Sequence, residues 1–238
     1  PEQHFDQERG NIMKRSEINQ VIRETEALLK EYRIQLPPFM NWTPAEWAEK
    51  GPECQEIRDN QLGWDVTDFG CGDFHKIGLI ALTIRNGNQK NPEKYPKTYA
   101  EKILIARENQ VTPMHFHWYK MEDIINRGGA KLAMQLYMAD ENEQLDLETP
   151  VEVVSDGVKL TLAPGSFLEL EPGQSITFTQ RLYHAFWGKG GDVIVGEVSM
   201  CNDDSTDNRF LEAPGRFPAI DEDEAPYRLL CTEYPEAK

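Results

Sequence analysis

The sequence contains little cysteine, and its cysteines form no recognisable motif. The four residues are separated by irregular intervals with no C-x-x-C pair, which argues against a zinc knuckle and against a redox dithiol. We therefore expect free thiols in a reducing cytosol. The cysteines are Cys54, Cys71, Cys201 and Cys231.

Long apolar runs are also absent. No segment approaches the ~20 apolar residues that a membrane-spanning helix requires. The polar N-terminus, PEQHFDQERGNI, lacks the apolar core of a signal peptide. These features predict a soluble cytoplasmic protein with no membrane partner. Met13 is an alternative start, in which case residues 1–12 are an extension.

Basic residues are scarce relative to acidic ones. The 25 Lys and Arg face 41 Asp and Glu, giving a net charge of −16. This balance argues against nucleic acid and anionic membranes as partners, and a small neutral or metal-bound substrate is easier to reconcile with it. The 238 residues, 39% of them hydrophobic, suffice for one sizeable folded core.

Helical patterns are confined to the N-terminal segment, residues 13–60. Ser16 is a candidate N-cap for a helix with apolar residues at three- and four-residue spacing. Thr43, Pro44 and Glu46 form a capping box that predicts a second helix. Near the C-terminus, the acidic run Asp221–Glu224 is interpreted as a solvated segment rather than a metal site.

Beyond Ile77 the pattern changes to short β-rich runs separated by Gly, Asn, Asp and Pro. Asp156-Gly157, between two such runs, is a strong hairpin signal. About eight strands without intervening helices predict an all-β antiparallel sandwich or barrel. No linker or repeat divides the chain, so we expect one domain over 1–238, with its barrel core at 77–202 and a C-terminal segment at 203–238.

Two of the five histidines stand close together in TPMHFHWYKMEDIINRGG, residues 112–129. His115 and His117 are two positions apart in a predicted strand, so both side chains point to one face. Glu122 follows at a distance that a tight turn can close. His184 lies in a later β-rich run that antiparallel pairing could bring opposite the first two.

A single histidine is more often a packed or surface residue than a ligand, and His4 and His75 are interpreted in that way. The spacing H-x-H-x4-E with a distant histidine instead predicts a metal site. It resembles the cupin signature, in which such residues hold a divalent ion inside a small β-barrel. PGQSITFTQRLYH has more residues between its Pro-Gly turn and His184 than the usual cupin form, so His184 is the least strongly predicted of the four ligands.

Three imidazoles and one carboxylate leave two positions free on a six-coordinate ion. This mixed nitrogen and oxygen set suits Mn, Fe, Co or Zn. Two neighbouring oxygens of a substrate could occupy the free positions.

Longer stretches resemble the D-lyxose isomerase family of cupins, from Met13 onward. They are GWDVTDFGCGDF at Gly63–Phe74, YAEKILIARENQVTPMHFHWYKMEDIINRGG, and GGDVIVGEVSMCNDDSTDNRF at Gly190–Phe210. The resemblance implies a cupin barrel with outer N-terminal helices and Mn²⁺-dependent interconversion of D-lyxose with D-xylulose and of D-mannose with D-fructose. Cupin barrels commonly pair, so we also expect a homodimer.

Aldose–ketose isomerisation through an enediol requires a base for the C2 proton and a cation for the developing oxyanion. Glu197 interrupts an apolar strand and is the candidate base, with an exposed or rim-facing glutamate as the alternative. Lys102 alone could extend outward, but the resemblance favours an inward lysine that contacts substrate oxygens. A hydride shift remains an alternative to the enediol.

Five further residues are candidates for the entrance or for sugar binding. Asp204, Asn208 and Arg209 bind sugar hydroxyls or form a capped turn, and Asp68 is weaker still. Trp187 either stacks on the sugar or belongs to the core. The competing functions are a cupin dioxygenase with ferrous iron and a non-catalytic sugar-binding or structural cupin.

Overall fold

The N-terminal helix packs across one face of the sheet. In the computed structural model, which describes residues 12–212 and 215–238, helix α1 spans Arg15–Glu31. Its apolar face buries Ile18 and Ile22 against Ile80 and Ile105 of the sheet. Helices α2 (Pro44–Trp47) and α3 (Gln55–Asp59) follow, with 3-10 turns at Pro38–Asn41 and Pro52–Cys54.

The capping predictions have different outcomes. The Thr43 capping box is present, with its hydroxyl accepting from the Glu46 backbone N–H. The Ser16 cap is wrong, because α1 begins one residue earlier and Ser16 lies within its first turn. No helix within the described residues is long and apolar enough to cross a membrane.

The C-terminal acidic run is solvent-exposed, as predicted, and it also binds α1. Glu222 hydrogen-bonds the buried Arg15 guanidinium at 2.7 and 2.8 Å, and Asp223 accepts from the Ser16 hydroxyl at 2.6 Å. Glu224 accepts from Asn19 Nδ2 at 2.6 Å. The interpretation of this run as a solvated segment is therefore incomplete, because its carboxylates hold the first helix.

Twelve strands are present in the described residues, and all neighbouring strands pair antiparallel. They are β1 (Gly63–Thr67), β2 (Leu79–Arg85), β3 (Tyr99–Ala106), β4 (Thr112–Phe116), β5 (Glu122–Ala139), β6 (Leu145–Asp146), β7 (Val151–Ser155), β8 (Val158–Leu162), β9 (Phe167–Leu170), β10 (Ser175–Phe178), β11 (Leu182–Met200) and β12 (Arg209–Phe210). The predicted all-β class is confirmed, and the expected turn at Asp156-Gly157 joins β7 to β8. Strands β1 and β12 lie outside the predicted core of 77–202, and the limits of a single domain stay a prediction.

Two long strands, β5 and β11, form a ribbon whose two halves belong to different layers. One layer contains β1, β2, β3, β7, β8 and β10, and the other contains β4, β6, β9 and β12. The first half of β11 pairs with β4 and the second half of β5, whereas its second half pairs with β3 and the first half of β5. The pairing register shifts between Lys189 and Val193. Strands that switch between sheets commonly do so at such irregularities.

The main core lies between the two layers. Leu104 and Val195 come from one layer, and Met134 and Phe186 come from the other. The metal-ligand candidates lie on the same inner face, at one end of this core. Apolar core residues therefore pack directly beside them.

Candidate metal centre

Three histidines converge inside the two layers. His115 on β4 is the register partner of His184 on β11, and His117 follows β4 directly. All three are buried, and one ring nitrogen of each lies within 4.8 Å of those of the other two. The antiparallel pairing therefore places the distant His184 opposite the H-x-H pair, as the sequence predicts.

Each imidazole has its Nδ1 bonded to a backbone carbonyl. The acceptors are Pro113 O at 2.7 Å for His115, Asp207 O at 2.7 Å for His117 and Leu182 O at 3.0 Å for His184. Because a carbonyl oxygen only accepts, each Nδ1 carries the proton and each Nε2 presents a lone pair. Such bonds are typical of metal-binding histidines. Burial also holds the pKa of His115 well below its usual value.

Glu122, the first residue of β5, completes the cluster. Its Oε1 lies 3.3 Å from Nε2 of both His117 and His184. Burial opposes ionisation of Glu122, but the nearby ammonium of Lys120 outweighs it and the pKa of the carboxyl lies well below its usual range. Oε1 and the two Nε2 atoms are thus acceptors that face one another. A cation bound between them would interact favourably with all three. A set of three nitrogens and one oxygen fits Mn²⁺, Fe²⁺, Co²⁺ or Zn²⁺.

Lys120 links the metal-ligand candidates to a second carboxylate. It is only 3% exposed, and its Nζ lies 2.7 Å from Glu122 Oε2 and 2.8 Å from Glu197 Oε1. Burial disfavours the ammonium, but these two carboxylates outweigh burial and raise the lysine pKa. Lys120 was not predicted as a site residue, although it directly follows Trp118 and Tyr119 and stands two positions before Glu122.

Lys102 and Glu197 both point into the cavity. They are direct partners on β3 and β11, and Nζ lies 3.7 Å from Glu197 Oε1. Each is 4% exposed, which is inconsistent with an outward lysine and with a solvent-exposed glutamate. The structure therefore brings the candidate base to the edge of the histidine cluster.

Asp204 and Arg216 form the wall beside Lys102. Asp204 Oδ2 lies 3.6 Å from Lys102 Nζ and 3.1 Å from an Arg216 guanidinium nitrogen. Arg216 also pairs with the buried Asp65 at 2.5 Å. Burial opposes ionisation of Asp204, but Arg216 and Lys102 outweigh it and hold the pKa of that carboxyl well below its usual range. Arg216 and Asp65 were not identified from the sequence: Arg216 belongs to no recognisable motif, and the stretch Gly63–Phe74 that contains Asp65 does not show which of its residues reaches the cavity.

The cavity has a charged end and an apolar floor. The space between its lining atoms is about 440 Å³ when the open mouth is included. Each of three polar cavity residues is followed, two positions later in its strand, by an apolar residue that faces the same way. The pairs are Lys102 and Leu104, Glu122 and Ile124, and His184 and Phe186. The three apolar residues form part of the floor, and Asn208 also lines the cavity.

Comparison with known proteins decides the family. A model of the family described as D-lyxose isomerase matches residues 13–234. A D-lyxose/D-mannose isomerase of Serratia proteamaculans is 50% identical over 225 residues, covering 93% of this chain and 98% of the relative. Another of the same description, from Escherichia coli O157:H7, is 48% identical with the same coverage. The chain belongs to the D-lyxose isomerase family. The predicted enzyme class, an aldose–ketose sugar isomerase, is confirmed.

Solved structures share the fold of this D-lyxose isomerase family member. The L-ribose isomerase of Acinetobacter sp. DL28, in complex with L-ribose, aligns with a TM-score of 0.58 at 16% identity, covering 89% of this chain and 99% of that one. The L-ribose isomerase of Geodermatophilus obscurus aligns with a TM-score of 0.55 at 18% identity, covering 88% and 99%. The cupin-like β architecture is thereby confirmed.

Three predicted site residues of this family member lie away from the cavity. Trp187 packs against Phe167 with ring centroids 6.0 Å apart, because strand alternation turns it outward when His184 and Phe186 face inward. Arg209 faces away from the inward Phe210, and its Nε lies 3.2 Å from Glu143 Oε2. The predicted sugar contacts of Trp187 and Arg209 are thus not supported. The carboxylate of Asp68 accepts from two backbone N–H groups in a turn at Gly70 and Gly72.

Other predicted residues are placed as follows. His75 is exposed and lies away from the cluster, whereas His4 lies outside the described residues. All four cysteines are free thiols, as expected.

Proposed function

We propose that this chain interconverts D-lyxose with D-xylulose and D-mannose with D-fructose, and that His115, His117, Glu122 and His184 hold a divalent ion, Mn²⁺. The single observation that carries the proposal is the position of Glu197 beside four converging acceptors, in a chain of this family. The names of its relatives, which are 48–50% identical, support the choice of sugars.

The ion, when bound, would polarise the substrate carbonyl and orient the adjacent hydroxyl. The residues of the chain supply the rest of the chemistry. Three nitrogens and an oxygen also suit iron, cobalt and zinc, so Mn²⁺ is the part of the proposal that rests on the family.

Glu197 acts as the base. It removes the C2 proton of the aldose, and the resulting enediol takes that proton back at C1, while O1 gains a hydroxyl proton and O2 loses one to become the ketone. The carboxylate is fixed for this task by Lys120, which donates to it at 2.8 Å. A positioned base of this kind contributes about 10²- to 10⁴-fold to a rate.

Lys102 and Asp204 bind the substrate hydroxyls. Lys102 lies between two carboxylates at 3.6 and 3.7 Å, distances that leave its ammonium able to donate to a sugar oxygen. Asp204 is the matching acceptor. Together the two residues would hold the sugar against the apolar floor, with its carbonyl end toward the histidines.

The test uses the whole protein, stripped of metal and reloaded with Mn²⁺. D-lyxose and D-mannose should yield ketose in a colorimetric assay, D-xylose should yield much less, and oxygen consumption should stay at background. Oxygen uptake without ketose would contradict the proposal and favour a dioxygenase. In deuterated water, deuterium at C1 of the ketose supports the enediol, and its complete absence favours a hydride shift.

The cellular setting belongs to the same proposal. Four free thiols fit a reducing cytoplasm. Exposed Tyr99 and Val198, on the outer face of the sheet, are compatible with the expected homodimer. Light scattering of the pure protein would test the dimer.

A further inference from the structure

One of the three histidines depends on a distant segment for its orientation. The Nδ1 partners of His115 and His184 are carbonyls only two residues away in the same strands. The Nδ1 partner of His117 is the carbonyl of Asp207, 90 positions later in the chain. The ring of His117 is therefore held in place only if the segment after β11 is correctly seated.

The side chain of Asp207 binds the same loop at two further points. Its Oδ1 accepts from the Tyr119 backbone N–H and its Oδ2 from that of Lys120, each at 2.9 Å. The residue is 6% exposed. Hydrogen bonds to an ionised acceptor are stronger than neutral ones, so a buried carboxylate with two N–H donors is a firm anchor.

Asp207 is itself fixed on both sides. Its backbone N–H donates to Asp203 O at 2.9 Å, and the next strand, β12, pairs with β4 beside His115. It does not line the cavity. Its three contacts fall on the loop that leads from His117 through Lys120 to Glu122.

We infer that Asp207 is a positioning residue of the metal centre: it fixes His117, Lys120 and Glu122 relative to one another and thereby sets the affinity for the ion. The inference rests on the proposed metal function. A structural role in the turn alone would instead affect stability and leave metal affinity unchanged.

The chain offers a matched control in the same turn. The Asp203 carboxylate accepts from Ser205 N at 3.1 Å and Thr206 Oγ1 at 2.7 Å, and it pairs with Lys90, so its side chain bonds within the turn and to the surface rather than to the ligand loop. Asp203→Asn therefore perturbs the turn without releasing the loop. Asp207→Ala removes both loop bonds, and Asp207→Asn keeps one acceptor but places an N–H₂ group against a backbone donor.

Mn²⁺ titration calorimetry on the full chain tests the inference at a temperature where every variant is folded. We expect Asp207→Ala to weaken Mn²⁺ binding by about 10- to 100-fold, the usual cost of losing an outer partner of a ligand. The Mn²⁺ affinity of Asp207→Asn should lie between those of Asp207→Ala and the parent. The visible spectrum of its Co²⁺ form should differ from that of the parent's Co²⁺ form. Asp203→Asn should bind like the parent. Parent-like binding by Asp207→Ala, or equal weakening by Asp203→Asn, would overturn the inference.

Hydrogen exchange of the metal-free proteins separates this inference from the proposed function. Residues 117–122 should exchange faster in both Asp207 variants than in Asp203→Asn. A parent that binds no Mn²⁺ would contradict the proposed function, whereas unchanged exchange in the Asp207 variants would refute the positioning role by itself.

Discussion

Lys120 and Glu197 meet at 2.8 Å inside the cavity, although 77 positions separate them in the sequence. The ammonium also contacts Glu122, so one cation bridges a metal-ligand candidate and the candidate base. Isolated charges at such depth are costly, and removing one partner leaves the others uncompensated.

The first prediction concerns the stability of this network. Lys120→Met should lower the free energy of unfolding by about 3–5 kcal/mol, because it removes a buried ammonium that contacts two buried carboxylates. Urea unfolding of the metal-free protein measures the change. Lys189→Met, which removes the exposed partner of the half-buried Glu169, is the control and should unfold close to the parent midpoint. Equal midpoints for both variants would contradict the prediction.

The second prediction separates the base from the ligands. Glu197→Gln keeps the shape of the side chain but cannot take a proton, so kcat for D-lyxose should fall by about 10²- to 10⁴-fold. Its metal content, measured by mass spectrometry, should match that of the parent. Glu152→Gln, on the exposed face of β7, should retain activity. A Glu197→Gln enzyme that turns over at the parent rate would rule out Glu197 as the base.

The third prediction concerns the histidine cluster. His115→Ala should weaken Mn²⁺ binding by more than about 100-fold, because it removes a direct ligand rather than an outer partner. Ketose formation should be lost with the metal. His75→Ala removes a histidine that is 72% exposed and should change neither quantity. Full metal content in His115→Ala would show that the ion binds elsewhere.

The fourth prediction concerns the register shift in the β5–β11 ribbon, where Gly129 pairs with Val193. Gly129 has φ +97°, and a Cβ there would lie 2.2 Å from Asp192 O. Gly157 has φ +82° in an open turn. Both Gly→Ala variants carry the backbone cost of about 1–2 kcal/mol, and Gly129→Ala adds a clash with backbone. Thermal unfolding should therefore show a clearly lower midpoint for Gly129→Ala, and similar midpoints would exclude a role for crowding.

The sequence predicts the ligands well because strand geometry is regular. Alternation places His115 and His117 on one face, and antiparallel pairing supplies His184. The same alternation places Trp187, three positions after His184, on the opposite face of β11. The sequence could therefore also have predicted that Trp187 lies away from the cavity.

The residues that could not be predicted lie outside the regular strands, where side chains do not alternate between two faces. Lys120 is in a turn, and Asp207 and Arg216 are in the irregular segments that follow β11. Their positions depend on tertiary contacts with β-strands distant in sequence. For the same reason the contacts of Asp221–Glu224 with α1 could not be predicted from the sequence.

The shared ribbon has a consequence for how the enzyme folds. In a straight strand, 13 residues span about 43 Å, yet His184 and Glu197 line the same cavity from one strand, β11. No short fragment of the chain can therefore hold a partial version of the site. Its assembly therefore requires the long-range pairing of β5 with β11, and such pairing is slow in topologies dominated by distant contacts. Metal capture should accordingly follow chain collapse and report on completed folding rather than nucleate it.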